Sequence, residues 1–197
     1  NITRATARTN SKNKGSKWGQ YDFASWCAVW LLYLVEFADW NSQSVIGIGI
    51  CGSSSMANTG GTDSMNYHTG TAASSRTTAG AVQYRNIENP WGNIWEWIDG
   101  VNFSDGTVYV CTTPANYADD TTSGYTNAGT KTQSDGWIKA IGISSTAPWA
   151  FFPTEVGGSE TTYIPDCAGY YSGWRVLFVG GYYSNTAGYV GLCHFSA

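Results

Sequence analysis

The stretch Gly92-Asn93-Ile94-Trp95-Glu96-Trp97-Ile98-Asp99-Gly100 decides how this chain is read. Two tryptophans alternate around an acid, with Gly-Asn before and Asp-Gly after, which is the pattern of a strand bounded by turns. Such a strand sets large aromatics beside a carboxylate, and a carboxylate at a buried edge needs a partner. About eighty residues later, Trp174-Arg175-Val176-Leu177-Phe178-Val179-Gly180-Gly181 supplies a second strand and a glycine pair, and a Tyr-, Ser-, Asn- and Gly-rich end follows. Together the two stretches describe a scaffold that displays a surface.

Composition narrows the classes. The 197 residues suffice for one substantial core, and no charged or Pro-rich linker divides them, so residues 1–197 read as a single domain. Charged residues make up only 12% and aromatics 15%, a profile that suits a loop-rich α+β protein. The net charge is -4, and after Arg85 only Lys131, Lys139 and Arg175 are basic, which excludes a nucleic-acid groove. Cys27, Cys51, Cys111, Cys167 and Cys193 stand far apart without a C-x-x-C pair, so reduced, mostly buried thiols are expected rather than a zinc or redox motif. The apolar run Trp26–Phe37 is too short to span a bilayer and carries Glu36, so it reads as a core helix with no membrane insertion. The chain starts at Asn1 without a basic leader or cleavage pattern and reads as the C-terminal part of a longer protein.

Local patterns set the elements. Thr3 to Lys14 predicts a surface helix closed by Gly15, with Ile2, Ala5 and Thr9 inward. Asp22 caps a second helix through Asp39, in which Phe23, Trp26, Val29, Trp30, Tyr33, Leu34 and Phe37 recur at helical spacing. Val45 to Ile50 alternates apolar residues with Gly47 and Gly49, as a strand does under a close backbone. Gly52 to Gly80 is a long polar loop anchored by Met65, Tyr67 and His68; His68 has no neighbouring Cys or second histidine, which favours a structural role. Ser104-Asp105-Gly106 marks a hairpin, Thr112 to Asp135 a second loop, and Trp137–Ile143, Trp174–Val179 and Tyr189–Phe195 further strands. The last two are expected to form a C-terminal β-hairpin.

Gly92-Asn93-Ile94-Trp95-Glu96-Trp97, then Arg175-Val176 and Gly180-Gly181, resembles the formylglycine-generating-enzyme branch of the C-type lectin fold. Closer still is the resemblance to phage tail proteins of that fold and to variable proteins of diversity-generating retroelements. It extends to Ala7-Arg8-Thr9-Asn10, Leu32-Tyr33-Leu34-Val35-Glu36-Phe37, Thr62 to Gly70 and Gln83 to Asn89, which is nearly the whole chain. The resemblance implies two N-terminal helices and small antiparallel sheets. The oxidases of this branch use a C-terminal cysteine pair; here only Cys193 lies in that region, Cys167 is outside the family spacing, and Val179 replaces the arginine before Gly-Gly. The scaffold therefore carries over and the oxidase does not, which leaves a non-enzyme. Members of the branch can bind calcium, and the matching positions are Asn89, Gly92, Ile94 and Glu96, an all-oxygen set. No cofactor is required; calcium is the one ion that the resemblance allows, and the alternative is that Glu96 and Asn89 hold backbone groups of the neighbouring loop.

In the retroelement proteins the C-terminal region varies by copying errors at adenines, which cannot create Lys, Glu, Gln, Met or Trp from Asn-type codons. Val176–Ala197 contains none of the five. The resemblance then points to Tyr182, Tyr183, Ser184, Asn185, Thr186, Gly188, Tyr189, Cys193, His194 and Ser196 as ligand-binding positions, with a second patch at Cys167, Ala168, Gly169, Tyr170 and Tyr171. Independently of family, Tyr gives broad, stiff contacts while Ser, Asn and Gly adapt, as in antibody loops; the plain alternative is sheet aromatics. Val190, Leu192 and Phe195 are expected to point inward, and Cys193 and His194 to opposite faces of a strand, so they form no dyad. Trp91, Trp95, Trp97, Trp137, Trp149 and Trp174 read as core more readily than as stacking platforms. What the resemblance implies is a receptor-binding domain on a phage virion tail or bacterial cell surface, contacting a host cell-surface protein or glycan, as a homotrimer in the full-length protein. The competing expectations are a calcium-dependent carbohydrate-binding module and an oxidase.

Overall fold

The computed structural model of the chain describes residues 2–72 and 76–197; the part of the polar loop at 73–75 lies outside the described residues. Three helices come first: α1 (Arg4–Lys12), α2 (Phe23–Phe37) and α3 (Ser42–Val45). A small antiparallel sheet follows, made of β1 (Thr69–Thr71), β2 (Val82–Tyr84) and β3 (Ile87–Glu88). The remaining strands are β4 (Glu96–Ser104), β5 (Thr107–Val110), β6 (Thr126–Thr130), β7 (Gly136–Ile143), β8 (Phe151–Val156), β9 (Cys167–Gly169), β10 (Trp174–Val179) and β11 (Phe195–Ser196). They form one sheet in the order β6-β5-β4-β10-β11-β9-β7-β8. The class is α+β, but one sheet is large rather than small, and it is mixed, because β11 runs parallel to β9.

Asp22 accepts a hydrogen bond from the Ser25 amide and starts α2; Ala38, in the left-handed region, ends it. The predicted apolar stripe is the buried one: Phe23, Trp26, Trp30 and Tyr33 are fully enclosed. Trp26 packs on Phe151 and Phe195, Phe23 on Phe195, and Tyr33 on Tyr84, so one helix joins β8, β11 and the small sheet. Each such ring contributes about 1.5–3 kcal/mol by burial.

Helix α1 starts at the predicted place, where the Thr3 hydroxyl accepts from the Thr6 amide, but its inward face differs. Ile2, Ala5 and Thr9 are exposed, and the buried face is Arg4 with the half-buried Ala7, Arg8 and Ser11. The reason lies in β4. Its pairing with β10 steps from Phe103↔Arg175 to Ile98↔Leu177, so Asp99, Gly100, Val101 and Asn102 bulge opposite Val176 alone. The guanidinium of Arg4 enters the bulge, donating to the carbonyls of Ile98 and Val101, to Asn102 and to Asp119. Arg8 clamps Asp99 through both carboxylate oxygens at 2.5 and 2.9 Å and reaches Asp119 at 2.6 Å. Removing one member leaves a buried charge unpaired. Asp99→Ala should cost about 3–5 kcal/mol in urea unfolding, and a loss under about 1 kcal/mol would show that the bulge holds itself.

Three local expectations fail and one holds. Residues 46–50 are irregular rather than a strand, although the close approach is real: a Cβ on Gly47 would press on Thr71 and Val82. In the 52–72 loop Tyr67 and His68 are exposed; its anchors are buried Thr62 and the amides of Gly60 and Gly61, which donate to Glu88. The loop after Thr112 contains β6. The β4–β5 hairpin turns at Asp105-Gly106 as read, with both residues at positive φ.

Candidate ligand-binding surface

The C-terminal region is not a regular hairpin. Pairing between β10 and β11 is limited to Phe178↔Ser196 and Val179↔Phe195, and residues 180–194 form a loop between these rungs. Gly180 and Gly181 open it at φ 75 and 70, a region that favours glycine; a Cβ on Gly180 would meet the Pro90 carbonyl, and one on Gly181 would overlap Val190. That double constraint explains the glycine pair that the sequence displays.

From there the loop is fixed from below. Amides of Gly52 and Ser53 donate to the carbonyls of Asn185 and Tyr183, and the Tyr183 amide donates to Asn93. The Asn185 side chain accepts from the Tyr182 amide at 2.9 Å. Gln43 accepts from Gly188, Ser42 from Leu192 and Asp166 from Cys193, all through backbone amides. Val190, Leu192 and Phe195 are buried, as expected, although 190–194 is a turn in which every residue is buried.

The proposed contact residues divide on this base. Ser184, Thr186 and Tyr189 are exposed, and Tyr182, Tyr183, Asn185, Gly188 and Ser196 are half-buried. Cys193 and His194 are not surface residues. Both are enclosed, because the strand expected there is a tight turn in which the His194 amide donates to Gly191. In the second patch Cys167 and Ala168 are buried in β9, between β7 and β11, while Gly169 and Tyr170 are half-buried and Tyr171 is exposed. Lys131, itself buried, ties this patch down by donating to the Gly169 carbonyl at 2.8 Å with its ammonium over the Tyr170 ring. Burial lowers that lysine to about 8.

Of the six tryptophans expected in the core, five lie at its edge or outside it. Trp91 is core, but Trp95, Trp97 and Trp137 are half-buried and Trp174 lies at the surface. Trp137, Tyr189, His194, Trp95, Tyr182 and Tyr183 form a continuous aromatic strip, with neighbouring centroids 5.1 to 5.8 Å apart. Phe178 joins it against Trp95 and Trp97. The available signal was period two: Trp95 and Trp97 share one face of a strand whose neighbour Ile98 takes the core.

A cavity of about 220 Å³ lies beside the strip, lined by Thr59, Glu88, Asn89, Asn93, Ile94, Trp95 and Glu96. Three of the four proposed calcium positions, Asn89, Ile94 and Glu96, reach it; Gly92 does not, and its carbonyl accepts from the Ile94 amide. Glu88 and Asn93 are oxygen donors that sequence reasoning missed. One oxygen of Glu96, Oε2, is buried and unpartnered, and burial raises the carboxyl to about 8. The other side-chain oxygens named are already engaged, Asn89 by the Val82 amide, Asn93 by Ala57 and Glu88 by Gly60 and Gly61, and among the described residues no group of three or more His, Cys, Asp or Glu side chains is placed to hold a metal.

The thiols look unlike redox centres. All five cysteines are free and buried, and burial pushes Cys167 up to about 12 and Cys193 well above its usual value. Burial likewise drives His194 down to about 4, against the pull of the Tyr189 carbonyl, and leaves its Nε2 unpartnered. No family model matches this sequence, and no curated protein is significantly similar to it.

Glu96 and His194 act oppositely on stability. Glu96, raised when folded, favours the fold below its unfolded value near 4.3, and that stability is lost as pH rises toward 8. His194, depressed when folded, contributes above about 6.5, and its contribution is lost as pH falls toward 4. Buried Asp166, also raised by desolvation, adds a loss of the same sign as Glu96, so in metal-free buffer the melting temperature should fall from about pH 4.5 and more steeply above about 6.5, where His194 no longer offsets either carboxyl. In Glu96→Gln the fall should become shallower; a fall of unchanged steepness removes Glu96 as a source.

Proposed function

We propose that this chain is a ligand-binding domain of the C-type lectin fold, formylglycine-generating-enzyme-like in scaffold, from a phage tail or a related retroelement variable protein. Its task is attachment to a host cell-surface protein or glycan, at the virion tail or a bacterial surface, and it performs no chemistry. One observation carries the reading: the 180–189 loop is fixed by backbone hydrogen bonds and two glycines, while its tyrosine, serine and threonine side chains point away from the core. Apart from Asn185, whose side chain accepts from the Tyr182 amide, the side chains offered to a ligand are separate from those that hold the loop. Buried, protonated thiols at Cys167 and Cys193 favour this over an oxidase. Contacts through one small patch are weak, so several copies, a trimer in the full-length protein, suit the role.

Replacing Tyr182 and Tyr183 by Ala should weaken binding to a panel of bacterial cells and to a glycan array by at least about tenfold. Folding should survive, with far-UV circular dichroism unchanged. Undiminished binding to every cell and glycan that the parent recognises would sink the reading.

The unpartnered Glu96 oxygen supports a second reading, a calcium-dependent carbohydrate-binding module. Millimolar calcium should then raise the melting temperature at pH 8 by several degrees, through about 2–3 kcal/mol of linkage at a hundredfold excess over Kd. Glu96→Gln should abolish the rise; no shift in the parent protein removes the ion.

A further inference from the structure

Helix α2 buries one face and leaves the other bare. Leu31 and Leu32 are about half exposed and Val35 is 85% exposed, forming an apolar ridge. Beside the ridge lies a groove of about 380 Å³ between α2 and the β7–β8 pair, at whose rim Trp40, Ile143 and Tyr163 are exposed. Neither feature belongs to the aromatic strip or to the Glu96 cavity. Together the six residues leave roughly 700 Å² in water, near the ~800 Å² that each partner gives to a standard interface and above the patches usual on monomers.

We infer that this face is where a second copy of the chain docks, the ridge of one copy seated in the groove of another. Three observations favour a like partner. A protrusion and a hollow of the same apolar character adjoin on one face, so two copies can fill each other's groove. Identical chains each carry a net charge of -4, and the six residues are uncharged. Among the described residues lining the groove, Lys139 alone is charged, and Glu155 neutralises it at 2.5 Å. Finally, β8 ends the sheet, and Pro153 within it lacks an amide hydrogen, which disfavours joining by strand addition and leaves side-chain packing as the mode.

Sedimentation and light scattering of the chain from about 1 to 200 µM, the range over which weak pairs form, provide the test. The parent should show a concentration-dependent mass rising to twice 21.3 kDa. Val35→Glu and Ile143→Glu alter highly exposed side chains, so both should keep the parent's circular dichroism and weaken association by about 100-fold or more. A parent that stays at 21.3 kDa throughout overturns the inference, as does an oligomer that survives both replacements. A monomeric parent that instead binds neutral phosphatidylcholine vesicles assigns the face to lipid and also overturns it. The ligand reading fails separately: Tyr182 and Tyr183 replacements leave the mass unchanged, and Val35→Glu leaves the loop intact.

Discussion

The structure depends on a gap in its central strand being filled. Asp99 to Asn102 leave the β4–β10 ladder, and without a guest the Ile98 and Val101 carbonyls and the Asp99 carboxylate would be buried unsatisfied. Arg4 and Arg8 satisfy them, and Asp119 balances the second cation. Burial raises the Asp119 carboxyl, but the two guanidiniums outweigh it and hold the group below its ordinary range. Beyond the bulge, Trp97 meets Phe178 and Glu96 meets Val179, one step before the glycines that launch the loop. A helix at one end of the sequence thus sets the register from which a loop at the other end departs.

That loop shows a division of labour at the level of atom types. Main-chain groups, buried Ser42, Gln43 and Asp166, and the enclosed side chains of Val190 and Leu192 secure it, while Ser184 and Thr186 take no part in the core. Surface substitutions away from packing and buried hydrogen bonds usually change stability by less than about 0.5 kcal/mol. His194 marks the limit of this freedom, since its ring lies between Trp95 and Tyr189.

Where periodicity and capping act locally, the sequence was legible: Asp22 and the stripe of α2, the Asp105-Gly106 turn, the β4 and β10 strands, and inward Val190, Leu192 and Phe195. What escaped depends on partners distant in sequence. An arginine reads as a surface residue until a bulge about ninety positions away demands its donors, which is why the buried face of α1 was misjudged. Gly47 and Gly49 signalled close approach correctly, but close approach does not imply a ladder. The resemblance puts Cys193 and His194 at the surface, whereas a tight turn encloses them. The aromatic strip was hidden by a sound general rule, since tryptophan usually packs inside, and only the alternation with Ile98 distinguished Trp95 and Trp97. The C-type lectin assignment and the variable loop rest on resemblance and on the chemistry of the exposed side chains.

The position of β11 has a consequence for how the molecule is made. Two residues, Phe195 and Ser196, are the rung that links β6-β5-β4-β10 to β9-β7-β8. Until that segment leaves the ribosome, the two half-sheets have no shared strand, and Trp26 and Phe23 lack the Phe195 ring against which they pack. At about 5–20 residues per second, the half-sheets wait about 1–3 seconds with unpaired edges at β10 and β9. Closure across such sequence separations is intrinsically slow. The nascent chain is most exposed to misassembly in that interval, and losing Phe195 and Ser196 would leave two incomplete sheets rather than one sheet trimmed at an edge.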